Sequence, residues 1–434
     1  MNILTSERMK ASVLKSDLRY DSTNNRQYGI QTYGERNDFP QKVMEIVASS
    51  ISGAACVDTY AKFIIGRGFD SPEFARAVVD TKGTRMNELL RLVGYDYAEF
   101  DGFAIHVNYD ANFRIVSATH IPFEQIRLEE LKDDCNTAQR LCTHPDWGKR
   151  YTSLKRFNIK DRIWFDFFDP TPEVVAKQVE EAGGWNGYKG QVFYFSGAGA
   201  KVYPVPIFEA ALTDMSNEEG LSNITQRNVR HNFLPAGMLI DHDNSANSDE
   251  QEEETKKELK EFQGDEKAGQ LLYINLRGDE KAPEFVPFVA NNTDDKFQKA
   301  EAKTPQNIGR AFRQPPILRG EAENTGFDGE RMRQAYDFYN ALTESERAVV
   351  SDVFKTIFSH WVDAEINPTL NYAILPKRFE VTGTLAERLG ADTEKVLEIL
   401  ADGTKSEAYK RAVLGTIYGL ADEDIETLVT STRV

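Results

Sequence analysis

Residues 207–232 constrain the fold more than any other part of this chain, because they are long enough for a helix but poor in apolar residues. Their first half has an apolar stripe at helical spacing, formed by Ile207, Phe208, Ala211, Leu212 and Met215. The second half keeps only Leu221, Ile224 and Val229. A helix of this length extends for roughly 35–40 Å. So thin a stripe cannot bury the second half within its own domain, which indicates that this helix bridges two regions or packs against copies of itself.

Residues 1–205 have the pattern of an α+β unit that begins with a polar arm. A polar residue followed by proline at 37–40 begins a helix, which continues at helical spacing to Ile64 and ends near Gly66. A second helix is expected at 85–99. After Gly102 the apolar residues alternate with small or polar ones, which is typical of strands. Strands are therefore predicted at 103–107, 113–116, 162–168 and 191–195.

A small insert follows the long helix. Its pattern predicts a β-α-β-β module, with strands at 237–240, 270–276 and 284–289 and a helix at 249–262. That helix begins acidic and ends basic, as the helix dipole favours.

A second helix is predicted at 294–312, and it contains the pair Thr304 and Pro305. Either Thr304 caps a new helix with Pro305 in its first turn, or one helix kinks there. A loop rich in Gly, Pro and Asn follows, and then a long amphipathic helix at 330–361. A strand is expected at 371–375, and short amphipathic helices are expected after residue 383.

The chain is acidic, with 69 Asp and Glu residues against 52 Lys and Arg residues and a net charge of −17. A protein that grips DNA by its phosphates needs clustered cations, so this balance argues against a clamp but allows DNA to slide past. The three cysteines do not form a disulfide framework, which predicts reduced thiols in an intracellular protein. Neither a signal peptide nor a membrane span is predicted.

Motifs for catalysis, cofactors and metals are incomplete, so we expect no enzyme, no cofactor and no metal site. Residues 403–406 end like a phosphate-binding loop but lack its first glycine. Residues 241–252 partly imitate a calcium loop, but Ala246 stands where the sharp turn needs glycine. His106 and His120 flank a predicted hairpin and could meet across it, although two hydrogen-bonded sheet residues are the favoured interpretation.

The order of these parts resembles that of tailed-bacteriophage portal proteins. Three stretches carry the resemblance: 27–69 (QYGIQTYGERNDFPQ…IIGRGF), 203–213 (YPVPIFEAALT) and 304–328 (TPQNIGRAFRQPPILRGEAENTGFD). The resemblance implies an α+β portal-type subunit that assembles into a ring. The implied divisions are an N-terminal arm and wing (1–205), a first stem helix (206–232), a clip (233–292), a second stem helix (293–312), a tunnel loop (313–329), a wing helix and strand (330–382) and a helical crown (383–434).

The resemblance also implies a function and partners. About twelve copies would form a ring at one capsid vertex, through which double-stranded DNA is packaged and ejected. The partners would be the major capsid protein, the large terminase and a head-tail adaptor, with no membrane involved. The protein would reside in the virion after assembly in the host cytoplasm.

Residues of the tunnel loop are the expected contacts with DNA in the lumen. The DNA-facing set is Arg319, Glu321, Glu323, Asn324, Thr325, Gly326, Phe327 and Asp328. Arg313, Arg331 and Arg333 are candidates for phosphate contacts, although pairing with nearby carboxylates is an alternative. Two other functions remain open: a DNA-processing enzyme such as a nuclease, and another ring or adaptor component of a virion.

Overall fold

Helices and a six-stranded mixed sheet make up the larger of the two units into which the chain divides. The larger unit comprises 1–324 with 337–377, and the smaller comprises 325–336 with 378–434. The structure is a computed structural model. It describes residues 20–132, 137–147, 158–197, 199, 201–230, 237–240, 284–287, 293–320, 329–362, 372–379, 393–402, 405–416 and 425.

The sheet has the strand order β4-β3-β8-β7-β6-β5. Its strands are β3 (Gly102–Tyr109), β4 (Ile115–Ile121), β5 (Ile126–Leu128), β6 (Arg140–Thr143), β7 (Ile163–Phe167) and β8 (Gln191–Ser196). All neighbours pair antiparallel except β7 and β8, which are parallel. A short ribbon of β1 (Asn24–Asn25) and β2 (Ile30–Gln31) precedes the sheet and extends it through a bridge from Ile30 to Glu129.

Three of the four strands predicted in this region are confirmed, and the second begins later than expected. Phe113 belongs to a turn with a φ of 61°, where its N–H donates to the carbonyl of Asp110 at 3.0 Å. The side chain of Asp110 also accepts from the N–H groups of Asn112 and Arg114. This turn delays the strand to Ile115. Strands β5 and β6 were not predicted, because they are short and lack a clear alternation.

The first predicted helix is in fact two, α1 (Phe39–Ser49) and α2 (Ile51–Ile65). Ser50 is extended, with φ −99° and ψ 119°, and its Oγ accepts from the N–H of Gly53 at 2.9 Å. Ser50 therefore ends one helix and caps the next, which a single apolar periodicity conceals. The short α3 (Pro72–Arg76) and the predicted α4 (Met86–Phe100) follow.

A buried cation joins the N-terminal segment to the sheet. Arg127 in β5 is fully buried, and its guanidinium donates to the carbonyls of Asn37, Glu124 and Ile126. The same group lies 5.6 Å from the ring centre of Tyr33. Burial lowers the pKa of Arg127 to about 10, so it remains charged at neutral pH.

The remaining elements that the structure describes in the larger unit are helices and one two-stranded ribbon. They are α5 (Pro172–Glu181), α6 (Leu212–Arg230), β9 (Gly237–Ile240), β10 (Glu284–Pro287), α7 (Thr293–Ala311), the last part of α8 (Gly329–Leu342) and α9 (Glu344–Phe358). β9 and β10 pair antiparallel. The helix predicted at 249–262 and the strand predicted at 270–276 lie outside the described residues.

The prediction of one long helix at 330–361 is wrong in one respect, because Thr343 separates two helices, α8 and α9. Its Oγ1 donates to the carbonyl of Tyr339 at 2.9 Å and accepts from Nη1 of Arg347 at 2.6 Å. Instead of the strand expected at 371–375, an extended segment forms a single bridge from Ile374 to Phe69.

The smaller unit contains the beginning of α8 and two short helices, α10 (Thr393–Ala401) and α11 (Glu407–Thr416). Val396 and Leu400 of α10 and Leu414 of α11 are buried, whereas Tyr409 of α11 is 51% exposed. Nζ of Lys410 donates to the carbonyl of Leu400 at 2.6 Å, at the C-terminal end of α10. The other helices predicted in the tail lie almost wholly outside the described residues.

Candidate functional site

The N-terminal end of α6 packs against the C-terminal end of α7 in the core of the larger unit. We call this buried junction the root of the helix pair. The ring of Phe208, just before α6, stacks on Phe312, just after α7, with 4.8 Å between centres. Leu212 and Met215 of α6 and Ile308 of α7 are buried beside them. Since the first turns of α6 contact the end of α7, the two helices leave the core together and run in opposite directions.

Glu218 fastens α6 to the junction between α1 and α2. Its Oε1 accepts from Oγ of Ser52 at 2.6 Å, and its Oε2 accepts from the N–H of Ser52 at 3.1 Å and from the hydroxyl of Ser50. The next residue, Glu219, accepts from Oγ of Ser49 at 3.0 Å. A carboxylate at the N-terminus of α2 is favourable because the N–H groups there have no helical partners.

Beyond this root, a stretch of described residues on each helix faces solvent. On α6 every residue of 222–226 is exposed, including Ile224 at 40%. On α7 the residues at 299 and 301–303 are exposed, whereas Thr304 and Ile308 are buried. The single chain therefore buries one end of each helix and leaves an adjoining stretch uncovered.

Pro305 lies inside α7, which is one helix from Thr293 to Ala311. The alternative of a separate helix beginning at Thr304 is therefore wrong. Pro305 has no N–H for the carbonyl of Glu301, but Glu301 is exposed, so solvent can satisfy that carbonyl. The missing backbone hydrogen bond thus lies in the solvent-facing part of α7.

A tight turn follows α7 and returns the chain to the core. Arg313 is exposed and has a φ of 53°, which ends the helix. Gln314 is buried and donates from Nε2 to the carbonyl of Cys56 at 2.7 Å. A 3₁₀ helix spans Pro316–Arg319, and Gly320 follows with a φ of 74°.

Arg319 lies against α7. Its guanidinium occupies the space that a Cβ at Gly309 would need, so the glycine allows the close approach. Arg319, the first residue of the predicted constriction, thus packs on the side of α7.

Only four of the predicted site residues belong to the part of the chain that the structure describes. Arg313 and Arg319 lie in the turn after α7, and Arg331 and Arg333 are exposed on the part of α8 that belongs to the smaller unit. Glu321, Glu323, Asn324, Thr325, Gly326, Phe327 and Asp328 lie outside the described residues. Their role as a constriction stays a prediction.

Three exposed cations of α7 were not among the predicted site residues. Lys299, Lys303 and Arg310 face solvent. Their spacing of four and seven residues puts them on one helical face and is visible in the sequence.

The two sheet histidines do not meet. His106 pairs with Thr119 in the strand register, whereas His120 pairs with Ile105, so their side chains point to opposite faces. Nε2 of His106 lies 2.6 Å from the carbonyl of Lys189, and Nε2 of His120 lies 2.6 Å from Oδ2 of Asp96. Both are hydrogen-bonded sheet residues, as the favoured interpretation expects.

Within the described residues, no group of three or more His, Cys, Asp or Glu side chains could hold a metal ion. The same residues contain no helix that is both long and apolar enough to span a bilayer.

No protein-family model matches this chain, and no curated protein matches it. Among solved structures it is similar to the neck of an empty gene transfer agent (GTA) particle, with 15% identity over 87% of this chain and 93% of that chain and a TM-score of 0.47. It is also similar to the virion of a native GTA particle, with 16% identity over 87% and 93% and a TM-score of 0.44.

A third similar structure is an HK97 family phage portal protein from Corynebacterium diphtheriae. It has 8% identity over 75% of this chain and 95% of that chain, and the TM-score is 0.40. The mixed helix-and-sheet fold of the structure agrees with the α+β class predicted from the sequence, and a portal protein is among the similar structures.

Proposed function

We propose that this chain is a portal-type structural subunit of a tailed-phage-like particle. About twelve copies form a ring at one capsid vertex, and the lumen is the channel for double-stranded DNA during packaging and ejection. The observation that carries the proposal is the pair α6 and α7, which share a buried root and expose the polar stretch beyond it.

Lateral packing in a ring explains how such helices are stabilised. Ile224 and the surrounding exposed residues of 222–226 contribute little to stability in one copy. A neighbouring copy would remove this surface from water, at about 25 cal/mol for each Å² of apolar area. Closed rotational symmetry repeats the same contact around the ring, so no copy is left with an uncovered face.

The charge of the chain suits a conduit. Twelve copies with a net charge of −17 each carry about −204 in total, which repels phosphates and keeps DNA from adhering over most of the surface. We propose that residues 319–328 form the narrowest part of the lumen, where the short polar side chains of Asn324 and Thr325 face the passing duplex.

The partners follow from the same assignment. The segment 233–292 docks the large terminase during packaging and the head-tail adaptor afterwards, and the wing contacts the major capsid protein. The protein acts without catalysis, enters the virion and is assembled in the host cytoplasm.

Ring formation is the direct test. Native mass spectrometry of the purified chain is expected to show one closed oligomer near twelve copies, and electron micrographs along its axis are expected to show a central hole. A stable monomer at high protein concentration, without annular particles, would contradict the proposal. Metal-dependent DNA cleavage would favour the nuclease instead, and a ring without affinity for terminase would favour an adaptor.

A further inference from the structure

One face of α7 carries a row of cations. Lys299, Lys303 and Arg310 are all exposed, and Arg313 is exposed just past the end of the helix. The positions of the three helical residues differ by four and seven, which places them within one side of an α-helix. The row covers about 16 Å along the helix axis, at 1.5 Å for each residue.

This row lies opposite the buried face of α7. Thr304 and Ile308 are buried, and at 100° for each residue they lie about 100–160° around the helix axis from Lys303 and Arg310. The helix is therefore held in the core by one face and presents the cations on the other. Among the described residues none of the four cations forms an ion pair, and Arg310 makes only a 3.5 Å hydrogen bond to Asn307.

The charge of this segment is opposite to that of the chain. Residues 299–313 contain four cations and one carboxylate, that of Glu301, whereas the whole chain has a net charge of −17. A row of like charges on one face, with no acidic residue among them, costs repulsion unless an anion neutralises it. An anion with repeating charges is the ligand that fits this geometry.

The neighbouring helix does not supply that anion. The exposed stretch of α6 at 222–226 contains no charged residue. The carboxylates of α6 that lie nearest, Glu218 and Glu219, already accept hydrogen bonds from serines of the α1–α2 junction. If a second copy packed the 222–226 stretch of its α6 against this row, the row would therefore meet no carboxylate from that stretch.

We propose that Lys299, Lys303, Arg310 and Arg313 form a phosphate-binding track for the backbone of double-stranded DNA. The assignment rests on the proposed function, since it places this face of α7 toward the lumen. Duplex DNA has one negative charge for about every 1.7 Å of its axis, so each cation can find a phosphate whatever the sequence. The otherwise acidic ring thereby holds the duplex centred through weak contacts that re-form as it moves.

The test compares two triple variants that change the net charge equally. The track variant is Lys299→Gln, Lys303→Gln and Arg310→Gln. The control is Lys82→Gln, Lys160→Gln and Lys355→Gln, three exposed lysines outside α7. Fluorescence anisotropy of a labelled DNA duplex measures affinity over a range of NaCl concentrations, and native mass spectrometry measures the oligomeric state of the same samples.

The track variant is expected to keep the wild-type oligomer and to bind the duplex at least tenfold more weakly at low salt. The plot of log affinity against log salt concentration has a negative slope, and its magnitude should decrease by about one for each lost phosphate contact. The control variant should change the affinity for the duplex and the salt dependence of that affinity far less.

Three outcomes would overturn the inference: equal affinity of the track variant and the wild type, an equal loss in the control, or a track variant that fails to assemble. The last result would show that the row binds a second copy. If the wild type itself forms no ring, the proposed function fails, but a track-dependent affinity for the duplex would still support a phosphate-binding face.

Discussion

Glu218 of α6 and Ser52 of α2 are joined by two hydrogen bonds, from Oγ to Oε1 at 2.6 Å and from N–H to Oε2 at 3.1 Å. One carboxylate thus caps α2 and anchors α6. The same contact ties the exposed helix pair to the body of the larger unit.

Replacing Glu218 by alanine removes this cap, and we expect a loss of about 1–2 kcal/mol in the free energy of unfolding. Urea denaturation followed by circular dichroism measures the change. Glu301→Ala is the matched control, because Glu301 is a carboxylate at an exposed position of α7. Equal stability of the Glu218 variant and the control would show that the cap contributes nothing.

Gly309 and Gly220 are both helical glycines, but alanine should act on them in opposite ways. A Cβ at Gly309 meets the guanidinium of Arg319, whereas a Cβ at Gly220 meets nothing within 4 Å. Gly220→Ala should therefore stabilise the protein by about 0.5–1 kcal/mol through helix propensity. Gly309→Ala should give no such gain, or a loss, because Arg319 must move.

Thermal unfolding of both variants and of Gly309→Ala combined with Arg319→Ala tests this prediction. The double variant is expected to recover part of the propensity gain, since the obstructing side chain is gone. A Gly309→Ala variant as stable as Gly220→Ala would contradict the close packing of Arg319.

Glu99 makes the stability of the protein depend on pH. Burial, with Asp96 and Glu124 nearby, raises the pKa of Glu99 to about 7. A carboxyl group with a raised pKa in the folded state stabilises the fold fully below its unfolded value, near pH 4.5, and this contribution is lost as the pH rises through 7.

Glu99→Gln should therefore stabilise the protein at pH 8 by about 1–3 kcal/mol and have little effect at pH 5. Chemical denaturation at both pH values measures the difference. Glu88→Gln is unsuitable as a control because Glu88 accepts from the N–H of Arg85, whereas the exposed Glu398 is suitable. The same gain at both pH values would exclude ionisation of Glu99 as the cause.

The proposed constriction makes a prediction about packaging. Asn324→Trp with Thr325→Trp would narrow the lumen, so we expect shorter packaged genomes and fewer full particles. Genome length in purified particles is measured by pulsed-field electrophoresis. Thr81→Trp, at an exposed position between α3 and α4, is the control. Wild-type genome length in the double variant would argue strongly against placing these residues in the lumen.

The sequence alone determined much of the local structure. The apolar periodicity of α4, α6 and α7 and the alternation in β3, β7 and β8 are local patterns, since each depends on which side of one element is buried. The cation spacing of α7 belongs to the same class. The spacing can be recognised in the sequence, but only the structure shows that Lys299, Lys303 and Arg310 face solvent.

The tertiary structure decided where helices break and what holds them. Ser50 divides α1 from α2 and meets Glu218, a residue 168 positions away, and Arg319 rests on Gly309. Such pairs leave no periodic trace, because hydrogen bonds and close approaches between distant segments depend on how the chain folds back. The root shared by α6 and α7 is likewise a property of packing, since Phe208 and Phe312 meet only after the intervening residues return.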